Sequence, residues 1–72
     1  MLNYKKNFKD ILKGLRKEKK MTQKEVSQNT GITLSMITKY EQGVNTPNYD
    51  NLTKLSDFFN VPVNTFLDDK SM

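Results

Sequence analysis

Cysteine and histidine are both missing from this 72-residue chain. Without cysteine no disulfide can staple the fold, and no thiolate is present to act as nucleophile or metal ligand. The lack fits a reducing cytoplasm. Without histidine the usual neutral-pH acid–base group is gone, and only carboxylates remain as metal ligands. No Gly-rich phosphate loop and no cluster of carboxylates makes up for these losses, so the sequence offers no basis for an enzyme, a metal site or a cofactor site. Nor is any apolar run long enough to cross a membrane, and no apolar segment behind the start resembles a secretion signal. A soluble, unexported, cytoplasmic protein is expected. Internal repeats and low-complexity tracts are absent, and no strand-like alternation of polar and apolar residues is found.

What is present is a small core and an uneven charge. At this length roughly 60% of the unfolded chain's surface can be buried, so stability is marginal. A core is still available, because 35% of residues are hydrophobic, including four Phe and three Tyr. One domain over residues 1–72 is expected, with its ordered core at about 7–67. The net charge of +4 is concentrated at one end. Residues 1–24 hold nine Lys/Arg against Asp10 and Glu18, a local net of +7, while the remainder carries −3. Such a basic region suits a polyanion: DNA, RNA or an anionic membrane. It serves equally as an ordinary solvated helix face. A membrane-binding or calmodulin-type basic helix at residues 5–20 is a further reading, but it leaves residues 22–67 unexplained.

Apolar spacing and capping residues divide the chain into five short helices. Residues 1–6 are polar and Lys-rich and read as a loosely held arm. Phe8, Ile11, Leu12 and Leu15 then form one helical face, with Asn7 as a cap and the Lys-rich run 17–20 at the end. Thr22-Gln23-Lys24-Glu25 reads as a capping box opening a second helix, about 23–29, which Gly31 closes. Thr33 caps a third helix carrying Leu34, Ile37 and Tyr40, and Gln42-Gly43 ends it. Residues 44–48 are loop by composition. Asn48 caps a fourth helix, about 49–59, bearing Leu52, Leu55, Phe58 and Phe59, with Asn60 at its end. Pro62 suits the first position of a short fifth helix, which Val63, Phe66 and Leu67 would pack back or offer to a second copy.

Residues 22–43 are the informative stretch: a short helix, a tight turn containing Gly31, and a second helix. That is the layout of the helix-turn-helix. Two helices crossing steeply need a small side chain where they touch, which Ser27 supplies. Gly31 can adopt a left-handed turn without Cβ strain. Val26, Ile32 and Ile37 are apolar where the unit must rest on the rest of the domain.

From about Phe8 to Leu67 the chain resembles the Cro/C1-type (XRE) helix-turn-helix regulators, which include phage repressors. The resemblance rests on Met21-Thr22-Gln23, Gly31-Ile32, Tyr40-Glu41-Gln42-Gly43, and Pro47 followed by Leu52 and Leu55, all in order and at family spacing. It implies an all-α, five-helix, lambda-repressor-like domain that binds double-stranded DNA as a homodimer and represses transcription from a pseudo-palindromic operator. It further implies that Thr33, Leu34, Ser35, Thr38 and Lys39 face the bases, with Lys39 reaching guanine and Leu34 packing on a thymine methyl. Thr22, Gln23, Gln42, Asn45 and Thr46 would face phosphates. Arg16 and Glu41 would form a structural ion pair. Ser27 stands where the family often has Ala, and the third helix carries one Lys and no Arg. Direct guanine readout is therefore thin, and DNA shape and water are expected to share the work. The same fold also serves as an antitoxin or other protein-interaction module, with an unidentified protein partner; a co-purifying toxin would separate that reading from a repressor.

Overall fold

Capping chemistry sets most of the element boundaries. In the computed structural model, which describes residues 2–68, four α-helices follow one another: α1 (Phe8–Glu18), α2 (Gln23–Thr30), α3 (Leu34–Gln42) and α4 (Tyr49–Phe59). At the start of α2 the Thr22 hydroxyl accepts from Glu25 N–H at 3.1 Å, and Thr22 N–H donates to Glu25 Oε1 at 2.8 Å. These two bonds form a reciprocal capping box. Thr33 accepts from Met36 N–H and Asn48 from Asn51 N–H, so α3 and α4 are capped as well. Gly31 and Gly43 sit at φ 79° and 77° just beyond α2 and α3. A side chain there would cost about 1–2 kcal/mol. Asn60 ends α4 at φ 57°. Two boundaries at α1 are less orthodox: Asn7 makes no side-chain capping bond, and Lys20, just past the helix, is left-handed at φ 57°.

The apolar stripes of the four helices converge on one core. Phe8 and Leu12 of α1, Val26 of α2, Ile37 and Tyr40 of α3, and Leu52, Leu55 and Phe59 of α4 are buried there, joined by Ile32 from the α2–α3 turn. Both α1 and α2 pack on α3, and α4 packs on α2. Ser27, at the α2–α3 crossing, donates its hydroxyl to the Ile32 carbonyl. Phe8 is the centre of an aromatic cluster: the rings of Tyr4, Phe66 and Tyr40 lie edge-on to it at 4.8, 5.5 and 6.5 Å. Edge-on pairs contribute about 0.5–1.5 kcal/mol beyond their buried area. The Tyr40 hydroxyl also accepts from Asn51 Nδ2 at 3.0 Å, which ties α3 to α4.

Both ends of the chain differ from what composition predicts. In place of a fifth α-helix there is one 3-10 turn, Val63–Thr65, and Pro62 stands as its cap rather than as its first residue. Phe66 follows it and is fully buried, because the core needs its ring against Phe8; it is not available to a second copy. The N-terminal residues are not a loose arm. Lys5 N–H donates to the Phe66 carbonyl at 2.9 Å, Asp68 N–H donates to the Asn3 carbonyl at 2.8 Å, and Tyr4 pairs with Leu67 in an antiparallel bridge. The Tyr4 hydroxyl donates to the Pro47 carbonyl. The Lys-rich composition hid two apolar side chains, Leu2 and Tyr4, that pack against the core.

Candidate nucleic-acid interface

Helix α3 has two opposite faces with different duties. Ile37, Tyr40 and Glu41 point inward and are buried. Ser35 and Lys39 point outward and are exposed, Leu34 is 44% exposed, and Thr33 is exposed just ahead of the helix. The division follows from the 3.6-residue period, which brings positions 34, 35, 38, 39 and 42 to one side. Leu34 is thus a large apolar side chain left in solvent at the first turn of a capped helix. Thr38 lies on the border, half-buried.

A hydrogen-bond network beneath the outward face holds α3 in place. Arg16 of α1 grips Glu41 with two bonds, Nε to Oε2 at 2.7 Å and Nη2 to Oε1 at 2.9 Å, and donates from Nη1 to the Met21 carbonyl at 2.8 Å. Gln23 of α2 donates from Nε2 to Glu41 Oε1 at 3.1 Å, and its Oε1 accepts from the Thr38 hydroxyl at 3.0 Å. The Glu41 side chain is only 3% exposed, against 14% for Arg16. Hydrogen bonding to Glu41 raises the Arg16 pKa above its already high ordinary value, against the effect of burial. A bidentate arginine–carboxylate pair fixes orientation as well as distance. Here it fixes α3 to α1, with α2 tied in through Gln23.

The structure brings the remaining candidates to the two ends of this unit. Thr22 is exposed and its hydroxyl is part of the capping box. Gln23 is half-buried, with both ends of its amide engaged by Glu41 and Thr38. Gln42, Asn45 and Thr46 are exposed beyond the last turn of α3. Val44 and Asn45 N–H both bond back to the Lys39 carbonyl. Two large apolar side chains flank this loop in solvent, Val44 at 66% and Tyr49 at 61% exposure. One neighbour escaped sequence reasoning. The Lys9 stem lies across Gly43, so close that a Cβ on Gly43 would be 2.9 Å from Lys9 Cδ. No local signal joins positions so far apart in the chain.

Away from α3 the surface is less specialised. A shallow cavity between the end of α2 and α4 is lined by Asn29, Thr30, Lys54, Asp57 and Phe58. Phe58 stacks edge-on with Phe59, and Lys19 Nζ lies 5.8 Å from its ring centre. Among the described residues no group of acidic side chains could hold a metal ion, and no helix is long and apolar enough to cross a membrane.

A capped helix that exposes its first turn, locked across a short partner helix by a glycine turn, defines a helix-turn-helix domain. Comparison with known proteins identifies which kind. The sequence profile of the family described as "Helix-turn-helix" matches residues 12–66, and the chain belongs to that family, of the Cro/C1 (XRE) type. Its members are transcriptional regulators and not enzymes. The chain is 36% identical over 64 residues to the uncharacterized HTH-type transcriptional regulator YqaE of Bacillus subtilis, covering 89% of this chain and 55% of that protein. It is 29% identical over 62 residues to the cryptic phage CTXphi transcriptional repressor RstR of Vibrio cholerae, covering 86% and 56%. The chain therefore spans about half the length of these relatives. A crystal structure of a transcriptional regulator from Listeria innocua superposes with a TM-score of 0.77 at 17% identity, over 92% of this chain and 60% of that one; it shares the fold.

Proposed function

We propose that residues 1–72 act as one sequence-specific double-stranded-DNA-binding domain of a cytoplasmic transcriptional repressor, working as a homodimer on a pseudo-palindromic operator. One observation carries this reading: the first turn of α3 presents Thr33, Leu34 and Ser35 to solvent with Lys39 a turn further on, on a helix that the Arg16–Glu41 pair holds rigid. In the major groove these side chains reach base edges. Leu34 packs on a thymine methyl, Ser35 and Thr33 exchange hydrogen bonds with several bases, and Lys39 reaches guanine O6 and N7. Thr38 contributes less to bases than its neighbours, since its hydroxyl is engaged by Gln23. Thr22, Gln42, Asn45 and Thr46 contact phosphates on either side and fix the register; Gln23, whose amide is engaged by Glu41 and Thr38, keeps only its second amide N–H for a phosphate. The relative named as a phage repressor supports the repressor role.

One recognition helix covers only a few base pairs, so two copies are required about one DNA turn, roughly 34 Å, apart. With Phe66 inside the core, Val63 and Leu67 are what the C-terminal segment offers a second copy. Selection of binding sites from a random duplex library at about 150 mM salt tests the proposal, because non-specific phosphate binding is weak there. An enriched inverted repeat with a thymine opposite Leu34 is expected. Binding that vanishes with salt and enriches no sequence would refute it and transfer specificity to a protein partner.

A further inference from the structure

We infer that Lys9, on α1, is a phosphate-clamping residue of the DNA interface, seated there by Gly43. The inference rests on the DNA-binding reading above. The loop after the recognition helix, residues 43–48, contains no Lys or Arg, although this is where the chain leaves the groove and meets the backbone. Phosphate affinity depends on cations, so the loop's own Asn45 and Thr46 supply hydrogen bonds but no charge.

Lys9 fills that gap from another element. Its stem runs over the bare Cα of Gly43, and its Nζ lies 3.7 Å from where a Gly43 Cβ would stand. Gly43 is thus required twice, once for its φ of 77° and once as the floor under the lysine. Lys9 is exposed, and among the described residues its ammonium makes no ion pair or hydrogen bond. The cation is held in position by packing of its methylenes while its three donors remain free for a phosphate oxygen.

The test uses the full chain and a duplex carrying the selected site. Affinity is measured between about 50 and 200 mM salt for the parent protein, Lys9→Gln, Lys9→Arg and Lys54→Gln. Lys54 removes the same charge from the α2–α4 cavity and reports the general electrostatic effect. Lys9→Gln is expected to weaken binding about fivefold to tenfold, equally on selected and altered sites, and to reduce the slope of log K against log salt by about 0.9, one phosphate's worth. Lys9→Arg retains the slope and Lys54→Gln shifts it far less. A Lys9→Gln protein that melts earlier but keeps the parent slope would show a lysine that only balances the α3 C-terminus, and would overturn the inference. A parent protein with no salt-resistant complex overturns the DNA-binding reading and this inference together.

Discussion

Replacing Arg16 by Met isolates the contribution of the buried network. The change leaves the Glu41 carboxylate, 3% exposed, without its cation and leaves the Met21 carbonyl without its Arg16 donor. Breaking one side of a buried pair costs about 3–5 kcal/mol. Arg16 retains some solvent at 14% exposure, and Gln23 still donates to Glu41, so the lower end, about 3 kcal/mol, is expected. At roughly 0.05–0.15 kcal/mol per residue the whole domain is stable by about 4–11 kcal/mol. The variant therefore loses a large share of its stability, with a fall in Tm of about 12–24 °C for a domain of this size. Urea and thermal unfolding, followed by circular dichroism, measure both. The double variant Arg16→Met/Glu41→Leu removes both charges and should recover most of the loss, because apolar replacements of a buried pair are often neutral. Its affinity for operator DNA should stay below the parent's, since α3 is no longer held by directional bonds. A single-variant loss below about 1 kcal/mol, typical of an exposed pair, would refute the claim that this network anchors the helix.

Three further outcomes follow from other sites. Burial, reinforced by the nearby Tyr40 hydroxyl, pushes the Tyr4 pKa up from 10.0 to about 12. The folded state thus holds that proton more tightly than the unfolded one, so Tyr4's contribution is complete below pH 10 and disappears as pH rises towards 12. Urea midpoints across that window should fall less steeply in Tyr4→Phe than in the parent. Among the described residues the buried Ser56 hydroxyl of α4 has no hydrogen-bond partner, so Ser56→Ala should raise stability by about 1 kcal/mol, and a loss on thermal unfolding would contradict the geometry. Lys20 is left-handed at φ 57°, a conformation glycine adopts freely, and Lys20→Gly should stabilise by about 0.5–1 kcal/mol after its added unfolded-state entropy is subtracted; an unchanged urea midpoint would show that the strain is absent.

How much of this was legible depended on sequence distance. Thr22 with Glu25, Thr33, Asn48, Gly31 and Gly43 act on backbone a few residues away, so they mark helix ends in the sequence itself. Helical spacing marked Ile37 and Tyr40 as the inward side of α3, but the same spacing put Leu34 with them, and the structure leaves Leu34 in solvent; its outward place was implied only by the family resemblance. Lys20 gave no sign, since a lysine carries no preference for a left-handed turn. The C-terminal segment looked like a helix because Val63, Phe66 and Leu67 have helical spacing, yet Phe66 is drawn into the core and only one 3-10 turn forms. The N-terminal segment looked unstructured because Leu2 and Tyr4 stand among Asn3, Lys5 and Lys6 with no helical or strand period; its order comes from bonds to residues 47, 66 and 68, which no window of sequence contains. The same limit applies at the interface. Gln23 reads as a surface glutamine, and only the fold turns it towards Glu41 and Thr38.

The two faces of α3 also bear on how such a protein can change its target. The side chains at 34, 35 and 39 make no hydrogen bond within the described residues, whereas 37, 40 and 41 carry the packing and the network. If the first set reads bases as proposed, new base preferences can accumulate there while folding is left untouched, and the sequences read by descendants of this domain can diverge faster than its architecture. Thr38 is the exception. Its hydroxyl belongs to the scaffold and, on the proposed reading, its position to the groove, so evolution at that residue must satisfy both demands at once.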